Sequence, residues 1–246
     1  MKREGRLPIG ELALKLADEW VEQLEPVRIA WLAMSRCFPR SPDKVRVLLS
    51  CEHHVVDDWI DQVRMDGDAE VWMQLNPGRL LNEKKSKLES NELQVHKLID
   101  PYVRQLVSSA QGRPLTGYLV GKDCIVRCAP IAQAQAQAEL ETLVTLWRAG
   151  MDAPLPTACK TALALLAKDA GEAQTKYDGA EYAYDGMIAE RNEACLARLW
   201  GEYADLASTP GHHEVSTRLY KPLRDWVTSL TKVFPLNHTF AQAAQP

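Results

Sequence analysis

The sequence predicts a mixed α/β fold of the α+β kind, with an α/β core over residues 1–130 and a helical extension over residues 131–246. Three observations predict it. Apolar residues recur at spacings of three and four before residue 33, alternate with polar ones from Val45 to Leu75, and return to helical spacing from Leu140 onward. An Asp66-Gly67 pair punctuates the alternating stretch, where a tight hairpin needs a residue that tolerates positive φ. Two further short strand-like runs, Leu115–Val120 and Cys124–Ala129, precede Pro130. The boundary near Pro130 is soft, and the two parts are expected to pack as one unit.

Taken in order, residues 8–33 read as a helix. Pro8 stands at its start, and Leu12, Leu16, Trp20, Val21 and Leu24 form its stripe. Pro26 is expected to break or kink it, since proline lacks the N–H that the next turn requires. Phe38–Asp43 is a turn-rich connector. A three-stranded antiparallel meander follows. Val45, Val47, Leu49 and Cys51 lie on one face of its first strand, and Val55, Trp59, Val63 and Met65 on one face of a second. Val71, Met73 and Leu75 line the third.

Residues 90–110 are helical, with Asp100-Pro101 as an N-cap and first-turn proline at which two helices can abut. After Pro130 a helix with Leu140, Leu143, Val144 and Trp147 on one face is expected to stop at Gly150. Thr157–Lys168 is a strongly apolar helix, and residues 169–187 read as loop. Leu196, Leu199, Tyr203 and Leu206 mark one helix, and a last one runs over roughly 212–233.

Composition bounds the function. A net charge of −4 and a pI near 5.9 argue against a nonspecific DNA-coating protein but allow a local basic groove. No apolar run approaches the roughly 20 residues of a membrane span, and MKREGRLPIGEL has no signal-peptide core. A soluble, cytoplasmic protein without membrane contact is expected. Of the six cysteines only Cys124 and Cys128 are close; without a C-x-x-C partner they read as buried, reduced thiols. The pairs His53-His54 and His212-His213 are isolated, and no cofactor is expected.

The meander carries the chemistry of interest. Asp61 shares a strand face with Trp59 and Val63, so its carboxylate needs a partner, which could be a metal, a cation or several backbone amides. A magnesium nuclease would place a second carboxylate, and a lysine two residues later, on the next strand. Met73 and Leu75 stand there instead. The remaining acids are weak candidates. Asp66 and Asp68 belong to the turn, Asp58 faces away from Asp57 and Asp61, and those two alone make a poor magnesium site. A scaffold of nuclease type with its chemistry removed is the reading.

The element order resembles the restriction-endonuclease-like, PD-(D/E)XK core. The words LPIGELALKLADEW, DDWIDQVRMDG, LIDPYVRQLVSSAQG, GYLVGKD, LWRAGMDAPLPTACKTALALLAK and RLYKPL resemble, in their order and spacing, the C-terminal region of the RecC family. RecC is the gamma chain of exodeoxyribonuclease V, the RecBCD helicase–nuclease. Complete members are far longer, so the resemblance implies a C-terminal piece. The related domain of RecB carries a helix histidine, a first aspartate and a D-x-K pair. Carried over by position, Asp61 keeps the aspartate, Met73 and Leu75 replace the pair, and Leu14 falls near the histidine. The resemblance implies no catalysis by this chain and a vestigial Asp61. It also implies a role in holding the partners RecB and RecD and in guiding DNA strands in double-strand break repair by recombination.

Two other classes compete with that reading. One is an active metal-dependent nuclease with an unusual constellation. The other is a pure protein-interaction domain without DNA contact, which the acidic balance and the long helical C-terminus favour; the seven tryptophans could serve as anchors, although aromatics at helical spacing are more often core. If a surface meets DNA, the candidates are Arg79, Lys84, Lys85 and Lys87, through phosphates; Glu83 and Glu89 dilute that patch, so a solvated loop competes.

Overall fold

The computed structural model describes residues 11–51, 54–82, 88–167, 169–180 and 189–238. The first helix, α1 (Glu11–Cys37), passes through Pro26 without ending, so the expected break is absent. Val27, Ala30 and Met34, three and four apart, pack its C-terminal half against the sheet. This covering contact holds the part of the helix that follows the proline.

The expected three-stranded meander is instead two hairpins in two sheets. β1 (Val45–Cys51) and β2 (His54–Ile60) pair antiparallel with Val45 opposite Ile60, as a separate two-stranded sheet. The chain then breaks at Asp61-Gln62, where Gln62 takes a left-handed φ of 60°. β3 (Val63–Asp66) and β4 (Ala69–Leu75) form the second hairpin, turning at Gly67 with φ 57° as the Asp-Gly signal required. The break has a reason in the spacing. Ile60 and Val63 are both buried but three residues apart, and a continuous strand cannot bury both on one face. Val55 and Trp59, expected to face inward, are exposed.

A crossover helix, α2 (Ile99–Ala110), returns the chain so that β5 (Thr116–Val120) runs parallel to β4. It begins one residue before Asp100, with Leu98 as cap and two 3₁₀ turns (Ser90–Glu92, Val95–Leu98) ahead of it; Asp100 is not the cap. β6 (Ile125–Cys128) pairs antiparallel with β5. The five-stranded sheet has the order β3-β4-β5-β6-β7, completed by β7 (Thr231–Phe234) from the far end of the chain.

β4 is covered on both faces. Trp72 and Met73 are neighbours in sequence and both fully buried, Met73 against α1 and Trp72 beneath α2. Gly117, beside Trp72 on β5, makes room for the indole: a Cβ there would lie 1.9 Å from Trp72 Cζ2. The indole Nε1 donates to Gln105 Oε1 on α2 at 2.8 Å, and Gln105 Nε2 donates to the Leu115 carbonyl at 2.6 Å, so the buried polar groups are paired.

The remaining helices are α3 (Gln133–Asp152), α4 (Cys159–Leu166), α5 (Ala170–Asp178), α6 (Ala194–Leu199), α7 (Tyr203–Ser208) and α8 (His212–Leu230). Gly150 lies inside α3 rather than ending it. Part of the expected loop 169–187 is α5, capped by the Asp169 carboxylate on Glu172 N at 2.8 Å; residues 181–188 lie outside the described ones. The helix expected across Leu196–Leu206 is two short ones, the second opened by a capping box of Glu202 and Asp205. Leu223, Trp226 and Val227 of α8 enter the same core as Trp72 and α2.

Candidate functional site

Asp61 sits in the break between the two hairpins, and its partner comes from α2. Arg104 Nη1 donates to Asp61 Oδ1 and to the Asp61 carbonyl, both at 2.8 Å. The guanidinium carbon lies 5.8 Å from the centroid of the Trp72 ring, a cation–π distance. The arginine side chain is only 15% exposed while the aspartate's is 45%. Of the three partners open to Asp61, the fold supplies a cation.

The register of the second hairpin fixes which residues face Asp61. Val63 pairs with Trp72, and Met73 N donates to Gln62 O at 3.0 Å, so the register carries Asp61 toward Gln74. Trp72 and Gln74 reach toward α2, as Asp61 does; Gln74 Nε2 donates to Asp100 Oδ2 at 2.9 Å. Met73 points the other way, toward α1, and Leu75 is 47% exposed at the strand end. The positions facing Asp61 are therefore Trp72 and Gln74 rather than Met73 and Leu75. Neither is a carboxylate or a lysine.

Glu70, Asp57 and Asp58, three other acids near the hairpins, are also engaged. Glu70 accepts two hydrogen bonds from Arg113, at 2.7 and 2.5 Å, and Asp57 two from Arg46, at 3.2 and 3.0 Å. The Arg46 hydrogen bond holds the exposed Asp57 carboxyl below its ordinary range. Asp58 accepts from the Trp59 backbone at 2.7 Å. Among the described residues no three His, Cys, Asp or Glu side chains gather as metal ligands. Cys124 and Cys128 are buried, and burial pushes the Cys124 thiol up to about 12 and Cys128 higher still, so both are neutral thiols.

Of the basic candidates, Arg79 lies beyond the C-terminal ends of β4 and β5, while Lys84, Lys85 and Lys87 fall outside the described residues. Arg79 Nε is 3.5 Å from Asp123 Oδ2, and that carboxylate also accepts the backbone N–H of Leu80 at 2.8 Å and of Leu81 at 3.1 Å. Two lysines that the sequence pattern does not single out join this rim. Lys97 Nζ donates to the Arg79 carbonyl at 2.6 Å, and Lys122 N to the Gly78 carbonyl at 2.9 Å. Lys122 Nζ reaches Gln23 of α1 at 2.8 Å. Arg79 thus pairs with Asp123, while Lys97 and Lys122 are tied to the same segment through the Arg79 and Gly78 carbonyls. Next to Lys97, His96 is pushed down to about 4, by burial first and then by Lys160, Lys97 and Lys176. Lys97 and Lys122 lie 18 and 43 residues from Arg79, beyond any local motif.

Against known proteins, the family model for the RecC C-terminal domain matches residues 1–170. No curated protein matches the chain. The match covers the element order from α1 through α4, including Asp61, Arg104 and the basic rim.

Proposed function

Because the chain belongs to the RecC C-terminal domain family, part of the RecBCD complex, we propose that it works there as a non-catalytic, nuclease-like module. In this reading residues 1–130 and 131–246 act as one unit that holds RecB and RecD and guides DNA strands in recombinational repair. The observation that carries the non-catalytic part is the Asp61–Arg104 pair. A magnesium ion needs several converging oxygen ligands. Here the one inherited carboxylate is held by an arginine lying against Trp72, and the facing positions are Trp72 and Gln74. A nuclease-like ancestry is supported by the order of a helix, antiparallel hairpins, a crossover helix and a strand parallel to β4.

DNA contact falls to the rim of Arg79, Lys97 and Lys122, together with Lys84, Lys85 and Lys87, which lie close to Arg79 in sequence. Such contacts would go to phosphates and carry no sequence information. Replacing Arg79 and Lys122 by alanine should weaken DNA binding and reduce its salt slope by about one for each phosphate no longer neutralised. An unchanged slope would leave a pure protein-interaction domain.

The deciding assay is cleavage of linear double- and single-stranded DNA with magnesium or manganese. Wild type, Asp61→Ala and Arg104→Ala are expected to be equally inert. Cleavage by the wild type that vanishes in Asp61→Ala would overturn the reading.

A further inference from the structure

Helix α1 is apolar over more of its circumference than the body covers. The stripe that buries Val27, Ala30 and Met34 continues toward the N-terminus at Leu24, Trp20, Leu16 and Leu12, spaced by four. There Trp20 is 41% exposed and Leu12 56%, and on another side Val21 is 65% exposed with Leu14 close behind. An apolar stripe of this width is normally covered, and a contiguous row differs from scattered single apolar residues. The charges of this half are mostly of one sign: Glu11, Asp18, Glu19 and Glu22 against Lys15. None of these five makes an ion pair or side-chain hydrogen bond among the described residues, whereas Glu25 is held by Arg28 at 2.5 Å.

We propose that residues 11–24 of α1 form a docking ridge for a basic amphipathic helix of another protein chain. A row spaced by four is the ridge that a second helix packs against. Fourteen helical residues present about 20 Å of it at roughly 1.5 Å per residue. The carboxylates beside the row select a partner whose apolar stripe is flanked by lysine or arginine, and they set its orientation and speed its approach. This goes beyond the family reading, which implies partners but no surface for them. The two can fail separately, because the test below uses neither DNA nor RecB nor RecD.

The probe is a fluorescein-labelled designed helix with a leucine stripe flanked by lysines, followed by fluorescence anisotropy on the full chain. Its control keeps the leucines and replaces the lysines by glutamates. The basic probe is expected to bind saturably and the acidic one at least tenfold more weakly. Val21→Lys with Leu24→Lys, and separately Glu19→Lys with Glu22→Lys, should each lower affinity at least tenfold. Unchanged circular dichroism and melting would show the variants folded, as expected at exposed positions. Equal binding of the two probes, or insensitivity to both variants, would overturn the proposal. A wild-type dimer dissociated by Val21→Lys with Leu24→Lys would give the ridge to a second copy. Binding that appears only after removal of residues 1–10 would give it to the chain's own N-terminal segment. Either result overturns the proposal too.

Discussion

The two hairpins follow one another in the chain, both antiparallel and both alternating, yet they end in different surroundings. In β1–β2 one face packs inward through Val45, Val47 and Cys51, while Leu48, Val55 and Trp59 face solvent. In β4 both faces are covered, so Trp72 and Met73 are buried side by side. The difference comes from later in the chain, because α2 brings β5 parallel to β4, and from earlier, because α1 lies across the other face. Alternation therefore sets which face of a strand turns inward, but distant segments decide whether the second face is also covered. Asp61 and Gln62 are the joint between these two regimes, and the candidate carboxylate sits there, tied to α2.

The sharpest contrast is between two tryptophans. Trp72→Ala empties a fully buried site and should cost about 3–5 kcal/mol, whereas exposed Trp59→Ala should stay within about 0.5 kcal/mol. Urea denaturation measures both, and equal destabilisation would mean the two hairpins are not differently packed. Next in size is Gly117→Ala, which forces a methyl to 1.9 Å from the Trp72 ring and should cost about 1–3 kcal/mol. Combining it with Trp72→Phe should cost less than the sum of the two single changes. Simple additivity would show that the indole is not what Gly117 accommodates.

Two ion pairs extend the contrast. Arg104–Asp61 joins the covered region, with the arginine nearly buried against Trp72. Arg46–Asp57 spans the outer hairpin with both side chains more than half exposed. Arg104→Ala should cost about 1–2 kcal/mol, since it removes hydrogen bonds to a charged group and a cation–π interaction. Arg46→Ala should leave the melting temperature unchanged, because exposed pairs contribute little. A similar shift for both would say that burial of the arginine adds nothing.

Much of this is legible in the sequence. The Asp66-Gly67 turn, the strands β5 and β6, and the demand of Asp61 for a partner all follow from local chemistry. The identity of that partner does not, because Arg104 lies 43 residues away on another element. Val71 and Met73 do share a face, but it is the face toward α1; the hairpin register, with Val63 opposite Trp72, puts Trp72 and Gln74 on the side of Asp61, and the sequence pattern does not say which face of β4 meets which helix. β7 is four residues long and follows α8 with no turn residue between them, so its period cannot separate it from the helix end. For α5 a signal exists: Asp169, three residues before Glu172, has the spacing of a helix cap, but Gly171 and Gly179 mask it.

The smallest expected effect separates the regions by pH. His96 lies in the 3₁₀ turn that leads into α2, and its imidazole is pushed down to about 4 from 6.5, by burial first and then by Lys160, Lys97 and Lys176. It is therefore neutral in the folded protein while the unfolded chain takes up a proton below 6.5. The unfolded state then binds more protons, so stability falls as pH drops from 6.5 toward 4. Partial exposure of the ring keeps the effect modest. His96→Gln should flatten that slope in urea denaturation. In amide exchange, acid should loosen α2 and β4 before β1 and β2, because the turn supports the crossover helix and not the outer hairpin. An unchanged slope in His96→Gln would place the acid-sensitive proton elsewhere, and uniform loosening would make the two hairpins one cooperative unit despite their different covering.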